Sequence, residues 1–499
     1  MELWRSIPFA CILLPLGSAA ITSALRREWA RNWTIFVLLV ETALSIAFMV
    51  IMSSGVGSYT YRMGHYSAPW GNEIRAGQLE AIVAHFFSLI MLFSLLGGLK
   101  KIKEHVMDDK QSLYYVMVLL LTASLMAQVY TNDTFTAYVF VEIMTLSAAA
   151  LIAARPSGRT IVASARYIVM NMIGSSLFLL GLCMLYGLTG HLLMSNMKEA
   201  IADLYASGQY QVPLTVSVAL ITSGLAIKGA LFPFHTWVPD AYGSSTPASA
   251  AMLSSLVSKG YIFLSMKMIY RVYGFEVFRA TGIDNVLFVF GIAAMIMGSV
   301  FAIRQNDIRQ MVAYSSVAQI GYIYMGIGMG TEYGMVAAVF HIFTHSVCKS
   351  MLFLSISGLS DASGGANRFH ELRGCGVRAK VAGAAFTIGA LGMVGFPMLS
   401  GFTSKINFAS AAVLFGGRRM WLVLAALVIS TFLNTMYFMR AMITVYRVPA
   451  DDVTYPDALP RQGAMYNVGV IGLAVINITL GIFTLPIVEA IRNGLAMFG

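Results

Sequence analysis

Ile227-Lys228-Gly229-Ala230-Leu231-Phe232-Pro233-Phe234-His235-Thr236-Trp237-Val238-Pro239-Asp240-Ala241 sets a lysine inside an apolar segment and then breaks that segment at a proline. From Val212 to Ala226 the residues are apolar or small. Lys228 therefore lies well past the headgroups, where a charged side chain costs about 2.5–3.5 kcal/mol on insertion scales. Pro233 lacks a backbone donor and clashes with the preceding turn, so the carbonyls near Gly229 need other partners or water. The stretch reads as a helix interrupted at bilayer depth, an element that marks ion paths. The alternative is a lysine snorkelling from a helix end into an ordinary loop. Two further lysines weigh against it: Lys259, centred in the apolar segment Ala248–Tyr273, and Lys405, just after a second broken stretch, Gly395-Phe396-Pro397-Met398-Leu399-Ser400-Gly401-Phe402.

Around this stretch the composition excludes a soluble globule. Of 499 residues, 58% are hydrophobic and 11% charged, against about 25% charged in soluble domains. Cys11, Cys183, Cys348 and Cys375 stand singly, which argues against an iron–sulfur cluster or structural zinc held by this chain. No cofactor, metal or nucleic acid is expected on it, and electrons, if involved, travel in another subunit. The net charge of +10 sits mainly in loops and is a topology signal. Arg5, an apolar core and Gly17-Ser18-Ala19-Ala20 mimic a secretory signal, but thirteen further apolar segments make an uncleaved first span the reading.

Windows of roughly 20 apolar residues, enough to cross about 30 Å, occur near 7–25, 33–53, 79–99, 112–130, 136–154, 161–188, 212–231, 247–273, 284–303, 311–329, 333–358, 381–415 (broken), 420–446 and 465–491. They predict an all-α polytopic membrane protein of about fourteen spans. Odd-numbered loops hold seventeen lysines and arginines, Arg461 included, and even-numbered loops seven. The odd loops are therefore expected in the cytoplasm and both termini outside. The loop from Met194 to Gln211 reads as a surface connector, although it has the pattern of an amphipathic helix. The break at Pro233 is answered by the one at Pro397, each with a lysine nearby, and paired interrupted spans point to an inverted repeat. Spans 4–8 (112–273) are expected to pair with spans 9–13 (284–446), with broken helices 7 and 12, after three N-terminal spans (1–111) and before a last span (465–499), all in one membrane domain.

The candidate chemistry lies inside these spans. In Thr136-Ala137-Tyr138-Val139-Phe140-Val141-Glu142-Ile143-Met144-Thr145-Leu146-Ser147 a carboxylate faces small and hydroxyl side chains. A carboxylate in hydrocarbon takes up a proton unless a cation stands beside it, and Lys228 is the natural partner. While the carboxylate is close the amine stays charged; its withdrawal lets the desolvated amine release a proton. A structural salt bridge between two helices is the alternative. His341, His345 and Lys349 fall at i, i+4 and i+8, one face of a helix, and suggest a proton relay. A metal site and a packed core histidine at His341 are the rivals, although the zincin signature needs a glutamate where Ile342 stands. Ser315, Gln319 and Tyr322 share a face suited to holding water or to ordinary interhelical bonding. Glu41, mid-span in the second helix, is left without a role, and Lys267 is expected to snorkel.

At these residues the sequence resembles the antiporter-like membrane subunits shared by Mrp-type Na+/H+ antiporters, respiratory complex I and membrane-bound hydrogenases. The resemblance is carried by Val141-Glu142-Ile143-Met144, Arg166-Tyr167 through Asn171 and Ser175, the stretch from Ala226 to Ala241, Lys259, Ala313-Tyr314-Ser315-Ser316, His345 with Lys349, and Gly395-Phe396-Pro397 to Phe402 with Lys405. It spans roughly residues 110 to 410, and its His-Thr-Trp-Val-Pro-Asp-Ala block is very specific. It implies a fourteen-helix fold with an inverted repeat and a mid-membrane polar axis. Glu142 would gate Lys228, Lys259 with His345 and Lys349 would relay the proton, and Lys405 would end the path. His235, Asp240, His341, Ser315, Gln319 and Tyr322 form a secondary polar line. Lys405 and the chain length favour the shorter members, the Mrp D-type or the complex I N-type subunit. Members often carry an acid at the start of the third helix, whereas Ile74-Arg75-Ala76-Gly77-Gln78-Leu79 has none and Glu80 is only nearby.

The expectation is thus a proton-translocating subunit of a multi-subunit energy-converting complex in a prokaryotic cytoplasmic membrane. Its partners would be other membrane subunits and peripheral redox subunits. No redox or hydrolytic site is read on this chain, so it would serve an oxidoreductase of the NADH:quinone or hydrogenase kind, or a cation/proton antiporter, as a subunit. Na+ prefers several oxygen ligands and would cross elsewhere in the complex. The alternative is a non-conducting scaffold that anchors the catalytic subunits.

Overall fold

In the computed structural model, which describes residues 3–66, 71–449, 455–456 and 462–498, most apolar windows become helices whose ends follow local chemistry. Arg461, counted above among the loop cations, lies outside the described residues. The first helices are α1 (Ile7–Ala24), α2 (Arg27–Ser53), α3 (Gln78–His105), α4 (Gln111–Tyr130), α5 (Thr134–Ala153) and α6 (Gly158–Thr189). Asp133 caps α5 by accepting from the Thr136 amide at 2.6 Å, and Ser157 caps α6 through the Thr160 amide at 3.3 Å. Both satisfy donors that a helix start leaves open.

After α6 come α7 (Met194–Ala206), α8 (Gln211–Lys228), α9 (Val238–Ser244), α10 (Pro247–Met252), α11 (Ser258–Met268) and α12 (Phe275–Ala280). A π-helical turn, Leu253–Val257, joins α10 to α11, and a second, Ile269–Tyr273, ends α11. The remainder is α13 (Ile283–Ile303), α14 (Ile308–Gly328), α15 (Glu332–Ala362), α16 (Cys375–Arg378), α17 (Lys380–Val394), α18 (Ser400–Phe415), α19 (Gly417–Tyr446), α20 (Ala464–Ile482) and α21 (Thr484–Ala496).

Among the described residues eleven helices are long and apolar enough to cross a membrane, or twelve if the pair His370–Arg378 and Lys380–Val394, bent by 109°, counts as one span. The expected count of fourteen windows is met only in part, for identifiable reasons. The window 247–273 is divided by π turns, α14 is long but carries Arg309, Gln310 and Gln319, and the window 381–415 separates into helices of 15 and 16 residues. At 1.5 Å per residue each of those two covers only about 24 Å. The final window also splits, at Phe483 between α20 and α21.

Other departures from the sequence reading are local. The residues between α2 and α3 form an antiparallel hairpin, β1 (Tyr59–Arg62) with β2 (Glu73–Ala76), so the fold is not wholly helical. The connector at Met194 is the helix α7, which buries Met194, Met197 and Ile201 on one face. Lys267 does not snorkel. Its Nζ is buried and donates to the carbonyls of Gln128, at 3.2 Å, Val129, at 2.9 Å, and Thr131. Those acceptors belong to the end of α4, where carbonyls lack helical partners and a cation is favoured. Glu80, in the first turn of α3, is buried against Arg271, whose Nε donates to the Phe498 carbonyl at 2.8 Å. The acid at the start of the third helix thus ties it to the second π turn and to the last described residue.

Two packing features position the interior. At Gly174 and Gly224 the backbones of α6 and α8 meet so closely that a Cβ on Gly224 would stand 2.5 Å from the Gly174 oxygen. Only glycine permits that approach, and it carries Lys228 toward α5. The second is α15, whose membrane-crossing window is entirely buried. It is enclosed by α3, α10, α14, α17, α18 and α20, so the polar side chains within that window face protein.

Candidate functional site

Lys228 is the last residue of α8, and the chain then turns through Gly229–Trp237 before α9 begins. Ala230 holds a left-handed φ of 63°, a conformation that costs a non-glycine residue about 1–2 kcal/mol. The lysine Nζ, fully buried, donates to Thr145 Oγ1 at 2.8 Å and lies 3.5 Å from Glu142 Oε1. Ser175 on α6 donates to the same carboxylate oxygen. The Tyr261 hydroxyl is 2.9 Å from Thr145 Oγ1, and its ring lies 5.2 Å from the ammonium. Glu142 keeps 30% of its side chain exposed, so this acid reaches the outer surface of the helix bundle while its cation does not.

Tyr261 leads along α11 to Lys259, two residues away. Lys259 Nζ donates to the Ser254 carbonyl, which belongs to the π turn, and to Ser258 Oγ at 3.0 Å. A π turn shifts the backbone register and recurs at functional sites; here one of its carbonyls receives a buried amine. The next carbonyl, Ser255, accepts from Ser346 Oγ of α15 at 2.6 Å. On α15 the Lys349 amine donates to the Val312 carbonyl at 3.0 Å and to Ser315 Oγ on α14.

The imidazoles of His341 and His345 lie 6.1 Å apart with planes 3° from parallel, and His341 also stacks on Tyr322 at 5.2 Å. His341 Nδ1 is 2.7 Å from Ser404 Oγ on α18. The following residue, Lys405, donates to the Val394 carbonyl at the end of α17. Gly395, with φ of 95°, makes room for it: a Cβ there would stand 3.3 Å from Lys405 Nζ. The break between α17 and α18 thus repeats the arrangement after α8, with a lysine beside opened backbone and a left-handed residue, Met398, at φ 68°.

Among the described residues, both ring nitrogens of His345, Nε2 of His341, both amide atoms of Gln319 and the Tyr324 hydroxyl are buried without a protein partner. A buried polar group left unsatisfied costs about 1–3 kcal/mol. Two residues of the secondary line lie apart from it. His235 stacks between Phe232 and Phe301, at 5.3 and 5.7 Å. Asp240 accepts from Arg166, a largely exposed side chain, beside a cavity of about 730 Å³ lined also by Arg155 and Arg309. Glu41, on α2, is fully buried in a different part of the molecule. Sequence reasoning passed over Tyr261, Ser346, Ser404 and the Ser254 carbonyl. The available signal was the density of serines inside otherwise apolar spans.

The family described as NADH:quinone oxidoreductase/Mrp antiporter, TM matches residues 131–434, the part of the chain that carries this row. The chain belongs to this antiporter-like family. Within it, the N-type subunit of the NADH-quinone oxidoreductase of Desulforudis audaxviator is 32% identical, over 92% of this chain and 88% of that protein. The D-type subunit of the Na(+)/H(+) antiporter of Bacillus subtilis is 26% identical, over 91% and 90%. A chain of the membrane-bound sulfane sulfur reductase, an archaeal respiratory membrane complex, superposes with a TM-score of 0.88 at 25% identity, covering 99% of this chain and 98% of its own. A chain of the Mrp complex from Dietzia sp. DQ12-45-1b has the same fold, with a TM-score of 0.85 at 23% identity and coverage of 99% and 97%. The chain is therefore an integral membrane protein similar to the antiporter-like subunits of multi-subunit membrane complexes.

Proposed function

We propose that this chain moves protons through the membrane as one subunit of an energy-converting complex, along Glu142, Lys228, Lys259, His345, Lys349 and Lys405. The observation that carries the reading is the pairing of fully buried Lys228 with part-exposed Glu142 at 3.5 Å. With the carboxylate close, the ammonium is held; as it withdraws toward its exposed side, the amine is left to Thr145 and passes its proton inward. The hydroxyls of Tyr261, Ser346 and Ser315 and water at the unpartnered imidazoles carry it to Lys259, the α15 face and Lys405. Pro233 and Pro397 mark the breaks that open the backbone at the first and last lysines.

The architecture proposed with this function has fourteen spans, in which 112–273 and 284–446 are inverted five-helix repeats. The matching breaks after Lys228 and after Val394 support it. Both termini lie outside a prokaryotic cytoplasmic membrane on the loop-charge asymmetry. Moving one proton against 100 mV takes about 2.3 kcal/mol, and no nucleotide loop or redox ligand set is read on this chain. Neighbouring subunits supply the energy, through redox chemistry or counterflowing Na+.

Lys228→Ala and Glu142→Ala, each introduced into the assembled complex, test the reading. Co-purification of the neighbouring subunits establishes assembly, and proton uptake by inverted vesicles gives transport. The expected result is intact assembly with transport lost. Full transport in both variants makes the chain a scaffold.

A further inference from the structure

A groove of about 380 Å³ opens between α2 and α20, over α3, on which both helices pack. Its rim carries Arg27, Arg31, Lys100 and Lys103 against one acid, Glu28. Arg27 pairs with Asp108 at 2.5 Å, and Lys100 with Asp361 at 3.4 Å. Arg31 and Lys103 meet no carboxylate among the described residues; Arg31 Nε donates only to the amide oxygen of Asn32, at 3.1 Å. Two cations, Arg31 and Lys103, therefore stand at the mouth without a carboxylate partner, and with Glu28 also on the rim the surplus there is positive.

Below the cations the walls turn apolar, with Ile35, Leu96, Leu99 and Met465. The gradient from charge to hydrocarbon runs down membrane-crossing helices, since α2, α3 and α20 all qualify as spans. Trp29, 71% exposed, stands in the same turn of α2 as Arg27 and Arg31 but on another face, and tryptophans of this kind collect at headgroup depth. A soluble anion would use the cations and leave the apolar walls unfilled. A neutral lipid would fill the walls and leave two cationic charges unpaired.

We propose that this groove is a specific site for one anionic phospholipid, its phosphate held by Arg31 and Lys103 and an acyl chain lying along Ile35, Leu96, Leu99 and Met465. The site is remote from the amine row and does not depend on proton transport.

The test uses the purified, delipidated full chain in mild detergent, with thermal unfolding followed as lipid is titrated. Dioleoyl phosphatidylglycerol stabilises the native chain; dioleoyl phosphatidylcholine and inorganic phosphate do not. R31Q/K103Q raises the half-saturating phosphatidylglycerol concentration about 30-fold. That factor is ~2 kcal/mol at 1.4 kcal/mol per decade, in keeping with the loss of two basic side chains beside an anionic headgroup. R31K/K103R, which keeps both charges, retains saturable stabilisation by phosphatidylglycerol. Equal protection by phosphatidylcholine overturns the proposal in favour of a non-specific lipid annulus, and equal protection by inorganic phosphate overturns it in favour of a free-anion site. An unchanged half-saturation in R31Q/K103Q overturns it outright.

Discussion

Replacing Glu142 by Gln and Lys228 by Met, singly and together, measures the pair at the head of the row. At the observed 3.5 Å, two unit charges attract by about 4.7 kcal/mol at an effective dielectric of about 20 and by about 1.2 kcal/mol in bulk water. The lysine is fully buried and the glutamate side chain is 30% exposed, so the pair falls between these limits. The bond from Lys228 to Thr145 at 2.8 Å survives in Glu142→Gln. A double-mutant cycle on unfolding in detergent should therefore return a coupling of about 1.5–3 kcal/mol. Vesicle proton uptake should fall at least tenfold in each single variant. The double variant should regain stability relative to the singles without regaining transport, because the amine that carries the proton is gone. Coupling below about 0.5 kcal/mol, the range of independent sites, together with undiminished uptake would refute both the pairing and the gating drawn from it.

Lys267→Met strips a charged donor from three carbonyls at the end of α4 and should cost about 1.5–3 kcal/mol of unfolding free energy; a snorkelling lysine would tolerate the change. Met398→Gly relieves a left-handed residue at φ 68° whose side chain is 70% exposed. Set against the entropy glycine loses on folding, the net gain should be about 0.5 kcal/mol in a thermal unfolding series. Lys198, on α7 outside the spans, is held below the ordinary lysine range by burial, with Arg75 and Arg271 adding like-charge repulsion. Its folded value is depressed, so its contribution is present above the unfolded value of about 10.4 and lost as pH falls through the folded one. Lys198→Gln should thus melt higher than the native chain at pH 7, within the about 0.5 kcal/mol usual at surfaces, with the difference closing toward pH 10.5.

Most of the helical architecture was legible because hydrocarbon demands runs of about 20 apolar residues and most loops are short. Both breaks were legible because proline and glycine act locally, and Lys228 with Lys405 stood out against their neighbours. What escaped depends on partners distant in sequence. The hairpin Tyr59–Arg62 with Glu73–Ala76 is too short to show a periodicity. The π turn before Lys259 preserves the residue spacing of a helix and changes only its hydrogen-bond register. Lys267 looked like a helix-end cation because nothing near it in sequence announces the open end of α4. Glu142 and Lys228 were matched by charge logic, but the hydroxyls around them come from α6 and α11 and follow only from packing at glycines such as Gly174 and Gly224.

The sealed position of α15 bears on how the protein is made. Its wall is built partly by α17, α18 and α20, which leave the ribosome after it. During synthesis a helix bearing His341, His345 and Lys349 must wait with one flank open, a state that lipid disfavours for each of those side chains. The shielding of α15 is thus completed only by the segment after Ala362, about the last quarter of the chain. Nascent chains halted just past Ala362 would be substrates for membrane quality control.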